Sequence, residues 1–211
     1  MTTILNFLNH RMRPLFAALL VLLALLLWFS PAEKTLGQAV KLVYLHGALV
    51  RSAVVLFLVS LPVNLAALFS PSSMRKNWLC RGKALVWGAI AVWLAHTLFS
   101  MVTTYATWGI FIAWSEPRTR FTFTAAGVSL LLVVAAYLID SPRFSALVFV
   151  ALAGVVVGLL PQLGLLRHPF DPIATSSSTA IRAFYAAILT DALAMSGLLV
   201  VWIRNLLCKQ Q

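Results

Sequence analysis

Leu42-Val43-Tyr44-Leu45-His46-Gly47-Ala48-Leu49-Val50-Arg51-Ser52-Ala53-Val54-Val55-Leu56-Phe57-Leu58-Val59-Ser60-Leu61-Pro62-Val63-Asn64-Leu65-Ala66-Ala67-Leu68-Phe69 runs for 28 residues with a single formal charge, at Arg51. An α-helix rises 1.5 Å per residue, so about 20 apolar residues cross the hydrocarbon core of a bilayer. This run is long enough with residues to spare. Lipid offers no partners to backbone N–H and C=O groups, so a spanning segment of this kind must be a helix rather than an open strand.

The same reading applies elsewhere in the chain. Apolar runs near 14–30, 42–69, 84–106, 121–139, 144–166 and 183–203 predict six spanning helices. The expected fold is an all-α integral membrane protein, a single six-helix bundle over residues 1–211. Composition agrees: of 211 residues, 62% are hydrophobic and 10% charged, and the mean hydropathy is +0.96. A soluble domain carries about a quarter charged residues. The net charge of +11 does not imply nucleic acid, because the basic residues are scattered between apolar runs and form no basic face. Residues 14–30 have a signal-peptide look, with Arg11 and Arg13 ahead of an apolar stretch. No small-x-small cleavage site follows, so an uncleaved first helix is expected.

Basic residues set the expected orientation. With both termini cytoplasmic, nine lie inside: Arg11, Arg13, Arg75, Lys76, Arg81, Lys83, Arg143, Arg204 and Lys209. Six lie outside: Lys34, Lys41, Arg118, Arg120, Arg167 and Arg182. The inner (plasma) membrane is the expected location, with lipid as the surrounding partner. Cys80 and Cys208 show no C-x-x-C spacing, and read as reduced cysteines near the cytoplasmic surface rather than a thiol relay or zinc site.

Three outer loops are then expected, at 31–41, about 107–120 and 167–182. The middle one, from Thr107-Trp108-Gly109 through Trp114 to Thr119, is too apolar for a solvated loop. It reads as an amphipathic segment lying along the outer interface, with Trp108 and Trp114 at headgroup depth. The last carries Thr175-Ser176-Ser177-Ser178-Thr179, a polar run in which Thr179 is a candidate cap for the final helix. His46 and His168 fall on the same outer side. Imidazole is the commonest protein metal ligand, and two at one membrane surface can grip haem iron from both sides. Aromatic rings pack on a porphyrin, and cations pair with its propionates. The plain alternative is that interfacial histidines and tryptophans anchor the bundle.

With those residues in place, the chain resembles the haem-handling membrane proteins of cytochrome c maturation, the CcmC type, from about Pro31 to Leu206. Lys41-Leu42-Val43-Tyr44-Leu45-His46 is similar to the family's basic-x-x-Tyr-Leu-His signature at the head of its second helix. Trp108-Gly109, Trp114 and Thr119 are similar to its W-G-x-x-x-x-W-D-x-R-x-T pattern. Arg167-His168-Pro169 falls where the family has its second histidine, and Arg204-Asn205-Leu206 closes the last span in the family's manner. Ser115 stands in place of the family's aspartate and Pro117 in place of its arginine, with Glu116 and Arg118 each one residue later. The resemblance implies a six-helix protein that is not an enzyme and presents haem at the outer face. His46 and His168 would be axial ligands, Trp108 and Trp114 part of the porphyrin platform, and Lys41 and Arg118 propionate partners. Other cytochrome c maturation proteins would be its partners. Arg182 joins the propionate candidates on position alone, at the outer end of the last helix.

Three ionisable residues fall inside spans, where charge is costly and marks function or pairing. Arg51, His96 and Asp191 lie nine, ten and eight residues from the outer ends of their expected spans, roughly 12–15 Å deep. Matched depth predicts an Arg51–Asp191 pair with His96 nearby, either as a ligand for a deeper haem or in a proton path. The alternatives are an Arg51 that snorkels outward and a hydrogen-bonded core histidine. This layer, with Pro62 and Pro161 inside spans, carries the competing reading of a small-solute transporter or channel subunit. No H-E-x-x-H or paired carboxylates point to an intramembrane enzyme.

Overall fold

The computed structural model describes residues 2–164, 173 and 176–208, with side chains from Arg11 onward. Its regular structure is helical: α1 (Thr2–Phe29), α2 (Val40–Phe69), α3 (Ser72–Trp108), α4 (Pro117–Ile139), α5 (Pro142–Leu159) and α6 (Thr179–Cys208). A single 3₁₀ turn, Leu160–Gln162, finishes α5. All six helices are long and apolar enough to cross a membrane, so the chain is a multi-pass membrane protein.

Local chemistry sets the breaks. Pro71 has an extended backbone just ahead of α3, and Pro117 and Pro142 open α4 and α5, where a missing N–H costs nothing. Ser141 caps α5 by accepting the Phe144 N–H at 3.4 Å. Gly109 closes α3 in the left-handed region, φ +72°, and its N–H returns to the Tyr105 carbonyl at 2.9 Å. Links of two residues, Ser70–Pro71 and Asp140–Ser141, make α2/α3 and α4/α5 antiparallel hairpins. The starts of α2, α4 and α6 and the end of α3 therefore share one end of the bundle, called here the histidine end. The opposite end is the cysteine end.

α2 and α3 form the centre. α2 also packs on α5 and α6, α3 on α4, α5 and α6, and α1 lies outermost against α6. Phe57, Val86, Ile90, Trp93 and Phe149 fill the main core between wholly buried alanines such as Ala53, Ala89, Ala146 and Ala153. In lipid no hydrophobic effect pulls helices together, and small residues promote association by letting backbones approach. Two glycines on α3 depend on this closeness. A methyl at Gly82 would collide with the Asn64 side-chain oxygen, and one at Gly88 would lie 2.5 Å from Val200. Leu131, Leu138, Val21 and Phe69 face outward, as lipid-facing positions do.

The structure extends and corrects the sequence reading. α3 begins twelve residues before the expected 84, because the basic stretch Arg75–Lys83 is helical as well as polar. α1 runs through Pro14, and α2 through Pro62 without a break. Pro161 lies in the 3₁₀ turn that ends α5. The Trp108–Pro117 segment holds no helix between its ends, only turns. Ser178 rather than Thr179 caps α6, its hydroxyl accepting the Ile181 N–H at 3.4 Å. The cysteines are not reduced: Cys80 and Cys208 form a disulfide, Cα–Cα 6.0 Å, between the start of α3 and the end of α6. At 128 residues apart they show no motif, and only the packing of α3 on α6 brings them together.

Candidate functional site

His46 sits in the second turn of α2, and α3 delivers His96 against it. The two rings stack with centroids 4.5 Å apart and planes 32° from parallel. His96 Nδ1 lies 3.4 Å from the His46 carbonyl oxygen, to which the Nδ1–H tautomer donates. Behind His96 stands Trp93, ring centroids 5.5 Å apart, and the Trp93 indole N–H donates to the Thr122 carbonyl of α4 at 3.1 Å. Phe57 and Phe121 meet the Trp93 ring edge-on. Thr103 adds a second tie from α3 to the top of α2, its hydroxyl donating to Phe99 O at 2.7 Å and reaching Leu42 O at 3.4 Å. The His46 backbone is therefore held by two packed helices rather than by a loop.

The expected Arg51–Asp191 pair does not form. The Arg51 guanidinium lies over the Tyr185 ring, 5.0 Å from its centroid, in a cation–π contact. Gly47 leaves room for that ring: a methyl there would lie 3.1 Å from the Tyr185 hydroxyl. Tyr44 stands beside Tyr185, centroids 6.3 Å apart, and donates its hydroxyl to Pro31 O at 3.2 Å. Asp191 is buried at 4% exposure, and among the described residues neither carboxylate oxygen has a hydrogen-bond partner. Ser52 is wholly buried, and its hydroxyl likewise has none among the described residues. Ser52 and Asp191 each lie twelve residues in from Val40 and Thr179, the histidine-end starts of their helices, about 18 Å at the helical rise. His96 does not share that level, because it stacks on His46, six residues into α2. The matched depth expected for Arg51, His96 and Asp191 therefore fails for His96, which helix stagger and rotation turn to His46 instead of to an ion pair.

The remaining candidates gather at the histidine end with different engagements. Trp108 ends α3, Arg118 and Arg182 lie in the first turns of α4 and α6, and Arg182 is exposed. Lys41 donates its ammonium to the Trp28 carbonyl at 2.7 Å, completing the last turn of α1. Trp114 is 57% exposed, its ring 5.2 Å from that of Phe123. His168 lies outside the described residues. The sequence reading missed the Tyr105–Phe111 pair and did not foresee the burial of Glu116. Tyr105 and Phe111 stack almost parallel, 4.3 Å apart, across the Gly109 turn, and both are exposed. Glu116, just before Pro117, is buried at 2% exposure. An aromatic six residues from another with a glycine between was the available signal for the first pair.

In the loop beside α2, Glu33 accepts the Thr35 and Leu36 backbone N–H groups at 2.8 and 2.9 Å. Those bonds, Leu36 foremost, hold its carboxyl below the usual glutamate range. Among the described residues, no three His, Cys, Asp or Glu side chains converge as a metal cluster would require. No protein-family model matches the chain, and no curated protein matches it significantly.

Proposed function

We propose that this protein binds haem at its histidine end and presents it at the outer face of the inner membrane, in cytochrome c biogenesis. The observation that carries the reading is His46, an imidazole in the second turn of α2 with His96 stacked against it, at the bundle end that also carries the exposed Tyr105, Phe111 and Trp114. The donor set fits a porphyrin better than a bare ion. A bare metal needs three or four protein ligands, whereas haem brings four nitrogens and asks the protein for axial ligands alone. His96 stacks on His46 at 4.5 Å and is its brace; His46 and His168 are the residues that would hold the haem.

Bound haem would supply an iron centre whose redox state the axial imidazoles tune. The chain's own work is holding and orienting. α2 fixes the imidazole of His46, and Trp108 and Trp114, with Tyr105 and Phe111, offer flat surfaces to a macrocycle. Arg118 and Arg182 offer cations to carboxylates. Lys41 is committed to the α1 carboxyl end, so its share in propionate binding is secondary. In this reading the termini lie in the cytoplasm, as the basic residues favour, and the Cys80–Cys208 bond is then one of the uncommon disulfides on that side of a membrane. The protein is not an enzyme, and other maturation proteins receive the haem.

Titration of the detergent-solubilised protein with haemin tests this. Saturable, one-to-one binding that weakens on His46→Ala and on His168→Ala is expected. Unsaturable partition, equal in wild type and both variants, would refute it.

A second reading, a small-solute transporter or channel subunit, draws on Asp191 and Ser52, buried polar groups with no hydrogen-bond partner among the described residues. An intramembrane carboxyl of this kind marks ion or proton paths. Proteoliposomes carrying an internal pH dye would favour it if a proton leak disappeared on Asp191→Asn.

A further inference from the structure

The Cys80–Cys208 bond ties the start of α3 to the last residue of α6, and its two ends are not equally open. Cys80 is buried at 5% exposure, whereas Cys208 is half-buried where its helix stops. Cations flank both. Lys76 and Arg204 each stand four residues, about one helical turn, before a cysteine, and Arg81 directly follows Cys80. Arg75, Lys83 and Arg143 lie at the same end, where Asp140 is the only acid among the described residues. Positive charge of this kind favours the thiolates that form when a disulfide opens. Packing also holds the two helices together apart from the bond. Gly88 of α3 leaves room for the Val200 side chain of α6, eight residues before Cys208.

We propose that the Cys80–Cys208 bond is a reversible redox clamp, which pins the last two turns of α6 to α3 when formed and frees them when reduced. The inference rests on the cytoplasmic placement of the cysteine end, where soluble thiols keep cysteines reduced and the bonds that do form are mostly transient or redox-sensing. A reductant thiolate attacks Cys208 Sγ, the more open sulfur. The S–S bond breaks, and its electron pair leaves on Cys80 Sγ. A second thiol, from a dithiol or from another glutathione, then displaces Cys208 Sγ from the mixed disulfide. Two electrons and two protons have passed to the cysteines, and the reductant departs as a disulfide. Re-oxidation runs the same exchange backwards with a disulfide as acceptor. The Gly88–Val200 contact keeps the two sulfurs near enough to meet again, so opening the clamp does not unfold the bundle.

Membrane vesicles of each orientation, holding the full chain with its bond formed, are exposed to reduced glutathione, which does not cross the bilayer. A gel shift with maleimide-linked polyethylene glycol counts the free thiols. Inside-out vesicles should go from no adducts to two, and glutathione disulfide should return them to none. Right-side-out vesicles should stay at none. In the purified chain, amide exchange over residues 201–208 should quicken on reduction and recover on re-oxidation, with residues 190–199 unchanged. Reduction in neither kind of vesicle would overturn the clamp, the bond then being structural, without touching the orientation. Reduction in right-side-out vesicles alone would overturn the orientation and the clamp with it. Exchange over residues 201–208 that is the same with and without the bond would also overturn the clamp.

Discussion

Substituting Gly82→Ala tests the central helix pair. Gly82 on α3 faces Asn64 on α2, and Asn64 is wholly buried, with its amide nitrogen donating to Ser60 O at 2.9 Å. Its side-chain oxygen has no hydrogen-bond partner and occupies the space a methyl at Gly82 would need. Asn64 cannot swing clear inside a packed interface, so the helices must part or the amide must leave its bond. Overpacking of this kind costs about 1–3 kcal/mol. Alanine's better helix propensity returns about 0.5–1 kcal/mol. The net loss of about 1–2 kcal/mol corresponds to a fall in melting temperature of about 3–6 °C for a chain of this size. Adding Asn64→Ala removes both the collision and the unpartnered oxygen, so the double variant should melt at or above wild type. Helical circular dichroism during heating in detergent reads all three proteins. If Gly82→Ala melts with wild type, or if Asn64→Ala fails to rescue it, the close α2–α3 approach is wrong.

Two other outcomes follow from separate parts of the molecule. The untreated chain should weigh two hydrogens less than the reduced chain, and replacing Cys80 and Cys208 by Ser should cost about 3–5 kcal/mol, as expected for closing so long a loop. Full alkylation of both thiols without prior reduction would refute the bond. For Glu33, the folded carboxyl titrates below the unfolded one, so its contribution is present above the ordinary glutamate range and is lost as pH falls through the folded value. The protection of the Thr35 and Leu36 amides, measured relative to the intrinsic exchange rate at each pH, should therefore fall on acidification below that range. In Glu33→Gln, which has no carboxyl to protonate, that protection should not change with pH, and a pH response identical to wild type in that variant would contradict the assignment.

The six spans were legible because lipid imposes one rule on every backbone group, and runs such as Leu42–Phe69 satisfy it visibly. Proline or glycine marks several helix ends, at Pro117, Pro142 and Gly109, which the hydropathy runs placed two to four residues inside the helices. The start of α3 was not legible, because hydropathy cannot distinguish a polar helix from a polar loop. Up-and-down topology places Lys41, Trp108, Arg118 and Arg182 at one end of the bundle. What the pattern could not give was azimuth. His96 stacks on His46, Arg51 turns to Tyr185, and Asp191 is left with Ser52 at its depth, all decided by packing among helices far apart in sequence. The Cys80–Cys208 bond was hidden for the same reason.

The absorption spectrum of the protein purified from haem-replete cells tests the haem reading most directly. A Soret band with split visible bands on reduction, as two axial imidazoles give, should appear in wild type and vanish when His46 and His168 are both changed to Ala. Colourless protein that takes up no added haemin, or a Soret band unaltered in the double variant, would contradict it.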